Sequence, residues 1–138
     1  MSAKDIFHES VKNALIKDKW IITDDPLSIR IEAMQMYIDL GAEKLITATK
    51  HNQQIAVEIK SFLQDSTLTE FYQSVGQFLI YKQALEIEEP DRELYLAVPV
   101  DTYESFFKQL LVQEIIRRYD IKLVIYEPES EEIIQWIP

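Results

Sequence analysis

Apolar positions along the chain change period several times, and each change marks an element. In "SAKDIFHESVKNALIKD" (2–18) Phe7, Val11, Ala14 and Leu15 recur at helical spacing, behind Ser2 and Asp5 at capping-box distance. "KWIIT" reads as a first strand, closed by the turn signal "DDPL". From 34 to 62 the pattern alternates with period 2, and "KHNQ" is the expected tight connection between two strands. Thr67 and Glu70 stand at capping-box spacing before an amphipathic helix carrying Leu68, Phe71, Tyr72, Val75 and Leu79. "RELYLAVPV" is almost unbroken apolar sequence, as expected of a central strand covered on both faces. Asp101 and Glu104 are expected to cap a third helix, 102–119, followed by the buried strand "IKLVIYEP" and a terminal strand "EEIIQWIP".

Helix, strand, strand pair, helix, strand, helix, strand, strand is an α/β order. A mixed β-sheet flanked by helices on both faces satisfies the buried strands and the helix stripes together. The 138 residues suit a single domain, 1–138, with 47% hydrophobic content and only two Gly and five Pro. No apolar run approaches the roughly 20 residues of a membrane span, and the N-terminus reads as lacking a signal-peptide block. Cysteine is absent, which excludes disulfides, thiolate zinc sites and cysteine nucleophiles and fits a cytoplasmic protein.

Charge changes the picture more. Against 24 Asp and Glu stand 14 Lys and Arg, a formal net of −10. Proteins that grip DNA alone usually carry a basic face, because neutralising phosphates supplies much of the affinity. If this chain meets DNA, partner assistance is expected.

One strand carries a chemical signal. In "IAVEIKSF" (55–62), Glu58 and Lys60 share a face while Val57 and Ile59 take the other. Rigid strand geometry holds their Cα atoms about 7 Å apart. Two carboxylates and a lysine make the minimum set for metal-assisted phosphodiester cleavage, with Mg²⁺ or Mn²⁺ held by oxygen ligands. Asp39 in "YIDLGAEK" is the natural second carboxylate. The plain alternative is a solvated sheet face with a weak ion pair, and for Asp39 the start of a turn before Gly41.

The succession of an N-terminal helix with Glu9, a strand with Asp39, Glu-x-Lys and a helix bearing "QSVGQFLIY" resembles the PD-(D/E)XK nuclease superfamily. More narrowly, "YIDLGAEKLI", "IAVEIKSF", "QSVGQFLIY" and "DRELYLAVP" resemble the XisH family, the cyanobacterial fdxN element excision controlling factors. That resemblance implies a restriction-endonuclease-like fold and a role in excising a DNA element through a site-specific recombinase, with XisI as partner. It assigns the metal to Asp39, Glu58 and the backbone carbonyl of Ile59, and the catalytic lysine to Lys60. Glu9 matches a helix-borne Glu that helps hold metal-bound water. Gln77 and Tyr81 match a Gln-x-x-x-Tyr element that touches DNA backbone or the active site. The Pro often found before the motif Asp is Ile38 here, and the gap to Glu58 is long, so Glu43 stands as the alternative first carboxylate.

His8 reads as a helix-surface residue, with a role beside Glu9 as the alternative, and His51 as an ordinary turn residue. Two Gly allow no phosphate-binding loop. The acidic "YEPESEEIIQW" reads as a solvated edge or a docking surface. Two functions follow: a metal-dependent endonuclease acting in excision, or a catalytically inactive nuclease-fold accessory that binds XisI, a recombinase or DNA. A homo-oligomer is compatible with either.

Overall fold

In a computed structural model of the chain, described for residues 5–46 and 51–138, twelve elements follow one another. They are α1 (His8–Lys17), β1 (Ile21–Asp24), β2 (Leu27–Ile31), β3 (Met34–Ile38), β4 (Leu40–Ile46), β5 (His51–Ile59) and α2 (Thr67–Glu88). Then come β6 (Arg92–Pro99), α3 (Val100–Ser105), α4 (Leu110–Arg118), β7 (Leu123–Glu127) and β8 (Glu132–Ile137).

Six strands form one sheet in the order β1-β4-β5-β6-β7-β8. The pairs β5–β6 and β6–β7 are parallel, and the three outer pairs are antiparallel. Alternation along β6 sends Leu94, Leu96 and Val98 to one core and Tyr95 and Ala97 to the other. That double burial is why its sequence runs almost continuously apolar. One core lies against α1 through Val11, Leu15 and Trp20; the other lies under α2, with Phe71, Phe78 and Leu85. The chain is therefore a mixed α/β fold with a central sheet flanked by helices. Among the described residues no helix is long and apolar enough to cross a membrane.

Three local expectations are corrected. First, 27–38 is not loop and strand but an antiparallel hairpin of β2 and β3, which pairs Leu27 with Ile38 and Ile29 with Met36. Leu27, Ile29 and Ile38 are buried in the α2-side core, so the alternation in "LSIRI" was a strand signal. The long strand from 34 breaks at Asp39, where the chain leaves the hairpin and joins the main sheet.

Second, the third helix is two. Phe107 is fully buried, edge-on to Phe62 and Phe71. α3 stops at Ser105, Phe106 keeps helical dihedrals and Gln109 is extended, so the ring enters the core between two helices. Third, two caps differ. The α2 cap is Ser66, whose hydroxyl accepts from the Thr69 N–H at 3.1 Å, while Glu70 turns inward and accepts from the Phe62 N–H at 3.2 Å. α3 starts after Pro99 with no side-chain cap, so Asp101 caps nothing. Ser2 and Lys50 lie outside the described residues, whereas His51, Asn52 and Gln53 of "KHNQ" are not a turn but the start of β5, paired with β4.

The acidic C-terminal hairpin is not simply solvated. Lys17 donates to the Ser130 carbonyl at 2.7 Å and Asn13 to the Glu131 carboxylate at 3.2 Å, fastening the turn to α1. Trp136 packs on Trp20 and Tyr95 below it.

Candidate functional site

The C-terminal ends of β5 and β6 fix the main chain at the Glu-x-Lys stretch. The Lys60 N–H donates to the Ala97 carbonyl at 3.1 Å, and the Lys60 carbonyl accepts from the Tyr126 hydroxyl at 3.1 Å. Asp5 adds a clamp: one carboxylate oxygen accepts from the Ser61 N–H and the other from the Phe7 N–H, both at 2.9 Å. Alternation then places Glu58 on the α2 side of the sheet with Ala56, whose side chain belongs to that core.

The bend at Asp39 brings its backbone and side chain against this end of β5. The Asp39 N–H donates to Glu58 Oε1 at 3.2 Å, and the Asp39 carboxylate accepts from the Ile59 N–H at 2.8 Å. Lys60 Nζ lies 3.8 Å from the other Glu58 oxygen. Asp39, Glu58 and Lys60 are thus in one cluster, and Glu58 is only 7% exposed. Because a strand residue turns its N–H and C=O to the same edge, the Ile59 carbonyl faces the Asp39 side.

Burial is the dominant electrostatic fact here. It pushes the Glu58 carboxyl up to about 8, with the nearby Asp39 charge adding to the rise and Lys60 opposing it. Asp39 is also raised by burial, against the Ile59 N–H and the neighbouring carboxyl. Two carboxyls in one dry site cannot both ionise cheaply.

The other expected residues are distributed around this pair. Tyr81 on α2 has its hydroxyl pushed up to about 12, by burial first and then by the charges of Glu58 and Asp39. Gln77 lies one turn earlier on the same helix face, with a buried side-chain oxygen that has no protein partner. Glu43 does not join. It pairs with Gln54, four residues back along β5 from Glu58, or roughly 13 Å. Asp39 is the carboxylate the fold brings to Glu58.

Glu9 sits in a neighbouring group rather than with Glu58. Ligand atoms of His8, Glu9 and Asp25 lie within 4.8 Å of one another. His8 is buried, not on the helix surface as its position suggested, and its Nε2 is 2.7 Å from Asp25. Lys12 also reaches Asp25 at 2.7 Å, and the Asp25 carboxyl is held below its ordinary value, against burial, by these two partners. The group borders the cluster, since the His8 charge acts on Asp39. Sequence reading missed Asp25 and Tyr126. "DDPL" looks like a turn and Tyr126 like core, and only tertiary contact reveals either.

The model of the family described as XisH protein matches residues 1–134. The chain belongs to the XisH family. An XisH family protein from Nostoc punctiforme has a crystal structure that superposes with a TM-score of 0.89 at 43% identity, covering 97% of this chain and 100% of that one. A protein from Anabaena variabilis described as an fdxN element excision controlling factor superposes with a TM-score of 0.89 at 46% identity, covering 98% of this chain and 100% of that one. No curated protein matches.

This XisH chain offers two places for a cation. At Asp39 and Glu58 the donors are all oxygen, the preference of Mg²⁺ and Mn²⁺, and both carboxyls stay raised despite the nearby Lys60 charge. The His8, Glu9 and Asp25 group mixes nitrogen and oxygen donors, and Lys12 already occupies part of Asp25.

Proposed function

We propose that this XisH-family protein is a controlling factor for excision of a DNA element, and that the end of β5 is a PD-(D/E)XK-type, endonuclease-like site in a restriction-endonuclease-like fold. The observation that carries the proposal is the buried meeting of Asp39 with Glu58, with Lys60 Nζ at 3.8 Å. The excision role rests on the likeness to the Anabaena variabilis protein.

Asp39, Glu58 and the Ile59 carbonyl would hold Mg²⁺ or Mn²⁺, which when bound stabilises charge on a phosphodiester's oxygens. Lys60 is placed to orient the attacking water and to offset negative charge at the phosphate. Glu9, which the family resemblance assigns to metal-bound water, stands here in the adjoining group with His8 and Asp25 and takes no place at Asp39 and Glu58. Gln77 and Tyr81 line the α2 wall, where a DNA backbone would pass. The −10 charge supports partner-assisted DNA engagement, with XisI and a site-specific recombinase as the proposed partners.

The same charge favours a second reading, in which the fold binds a partner or DNA and cuts nothing. Cleavage of supercoiled plasmid and branched DNA with Mg²⁺ or Mn²⁺ separates the two. Under the first reading Lys60→Ala lowers cleavage roughly 10²–10⁴-fold while leaving the fold intact. Cleavage that persists in the variant removes Lys60 from the chemistry. If neither protein cuts, excision in cells decides: a Lys60→Ala chain that still supports it leaves the binding reading.

A further inference from the structure

Just past Glu-x-Lys the main chain passes from the sheet's hydrogen bonds to side-chain ones. The Lys60 N–H still donates to the Ala97 carbonyl of β6 at 3.1 Å. The next two N–H groups go to carboxyl groups from distant parts of the chain. Ser61 donates to Asp5, ahead of α1, at 2.9 Å, and Phe62 donates to Glu70, near the start of α2, at 3.2 Å. Tyr126 of β7 completes the set by donating to the Lys60 carbonyl.

Phe62 is the second observation. Its φ of 54° is left-handed, a conformation that a bulky side chain keeps only where its surroundings impose it. The turn sends the ring into the core, edge-on to Phe107 with centroids 5.4 Å apart. This strained residue stands two positions from Lys60.

Glu70 is costly to place where it is. It is 4% exposed, and one of its carboxyl oxygens is buried without a partner. Burying a carboxyl group for little hydrogen bonding is unfavourable. The start of α2 does not need it, because Ser66 supplies the cap. Among the described residues its carboxyl group bonds to Phe62 alone, so what Glu70 fixes is the chain beyond Lys60.

We propose that Glu70, together with Asp5, is a positioning residue for Lys60: the two carboxyl groups hold the strand end so that Lys60 Nζ stays at Glu58, 3.8 Å away. The proposal rests on the reading of Asp39, Glu58 and Lys60 as a nuclease-type site. The Lys60 peptide is held directly by Ala97 and Tyr126, and through the next two residues by Asp5 and Glu70. Burial first, and then the charges of Asp5 and Glu70, push the Tyr126 hydroxyl up, so it stays a donor to the Lys60 carbonyl.

Amine-reactive labelling of the full chain, resolved lysine by lysine with mass spectrometry, reads the placement of Lys60 whether or not the protein cuts DNA. In the wild type Lys60 lies against Glu58 with its side chain 18% exposed. Glu70→Ala should speed labelling at Lys60 roughly tenfold, the scale of one freed buried donor. Lys17 on α1 and Lys82 on α2 should keep their wild-type rates. Glu70→Gln, whose amide oxygen still accepts from Phe62, should label like the wild type. Asp5→Ala, which frees the Ser61 N–H, should act as Glu70→Ala does, and it decides the question if Glu70→Ala does not fold. An unchanged rate at Lys60 overturns the inference, as does a rise shared with Lys17 and Lys82 or a Glu70→Gln protein as reactive as Glu70→Ala. Selective release of Lys60 in a protein that cuts no DNA would sink the nuclease reading and leave the positioning role standing.

Discussion

At neutral pH Glu58 is mostly protonated, because burial and the Asp39 charge push its carboxyl up to about 8 from an ordinary 4.5. Between those values the native chain holds a proton that the unfolded chain has released. Its contribution to stability is therefore complete below 4.5 and is lost as pH rises towards 8. Glu58→Gln removes that slope. Thermal melts from about pH 5 to 8 should show the wild type losing roughly 10 °C relative to the variant. Mn²⁺ at the upper end should recover the wild type alone, since a cation favours the ionised form and binds only the native state. Parallel melting curves for the two proteins would remove Glu58 from the buried pair.

Elements differ in how tightly they constrain their residues, and the two glycines make the contrast measurable. A Cβ at Gly41 would lie 2.7 Å from the Asp24 carboxylate and 3.0 Å from the Arg92 guanidinium. Arg92 crosses there to the Ile55 carbonyl at 2.8 Å, tying β1, β5 and β6 together. Gly41→Ala should cost about 1–2 kcal/mol. Gly76→Ala, whose Cβ meets open space, should stabilise the fold by about 0.5–1 kcal/mol. Denaturant melts at low micromolar concentration check both signs. Periodicity alone made α1, α2, β5, β6 and β7 legible, because their apolar spacing answers to one or two broad cores. It could not show the break at Phe107 or the bend at Asp39. Both are tertiary demands, one from a ring entering the core and one from a chain changing sheets. The candidate site was legible to the same degree. Glu58 and Lys60 share a face by strand parity, whereas the choice of Asp39 over Glu43 depended on register. The inward turn of His8 to Asp25 had no local signal.

For the whole molecule, the balance of −10 bears on the proposed engagement of DNA. The isolated protein should bind duplex DNA weakly at physiological salt, and XisI or a recombinase should strengthen that binding. Fluorescence anisotropy with and without the added protein measures the difference, and tight binding by the chain alone contradicts it. The central claim is narrower: the fold gathers Asp39 and Glu58 to hold a divalent cation beside Lys60. Crystals soaked in Mn²⁺ and measured for anomalous scattering test it most directly. The account predicts a peak about 2.0–2.5 Å from oxygens of both carboxylates. No peak there, or one only among His8, Glu9 and Asp25, would contradict it.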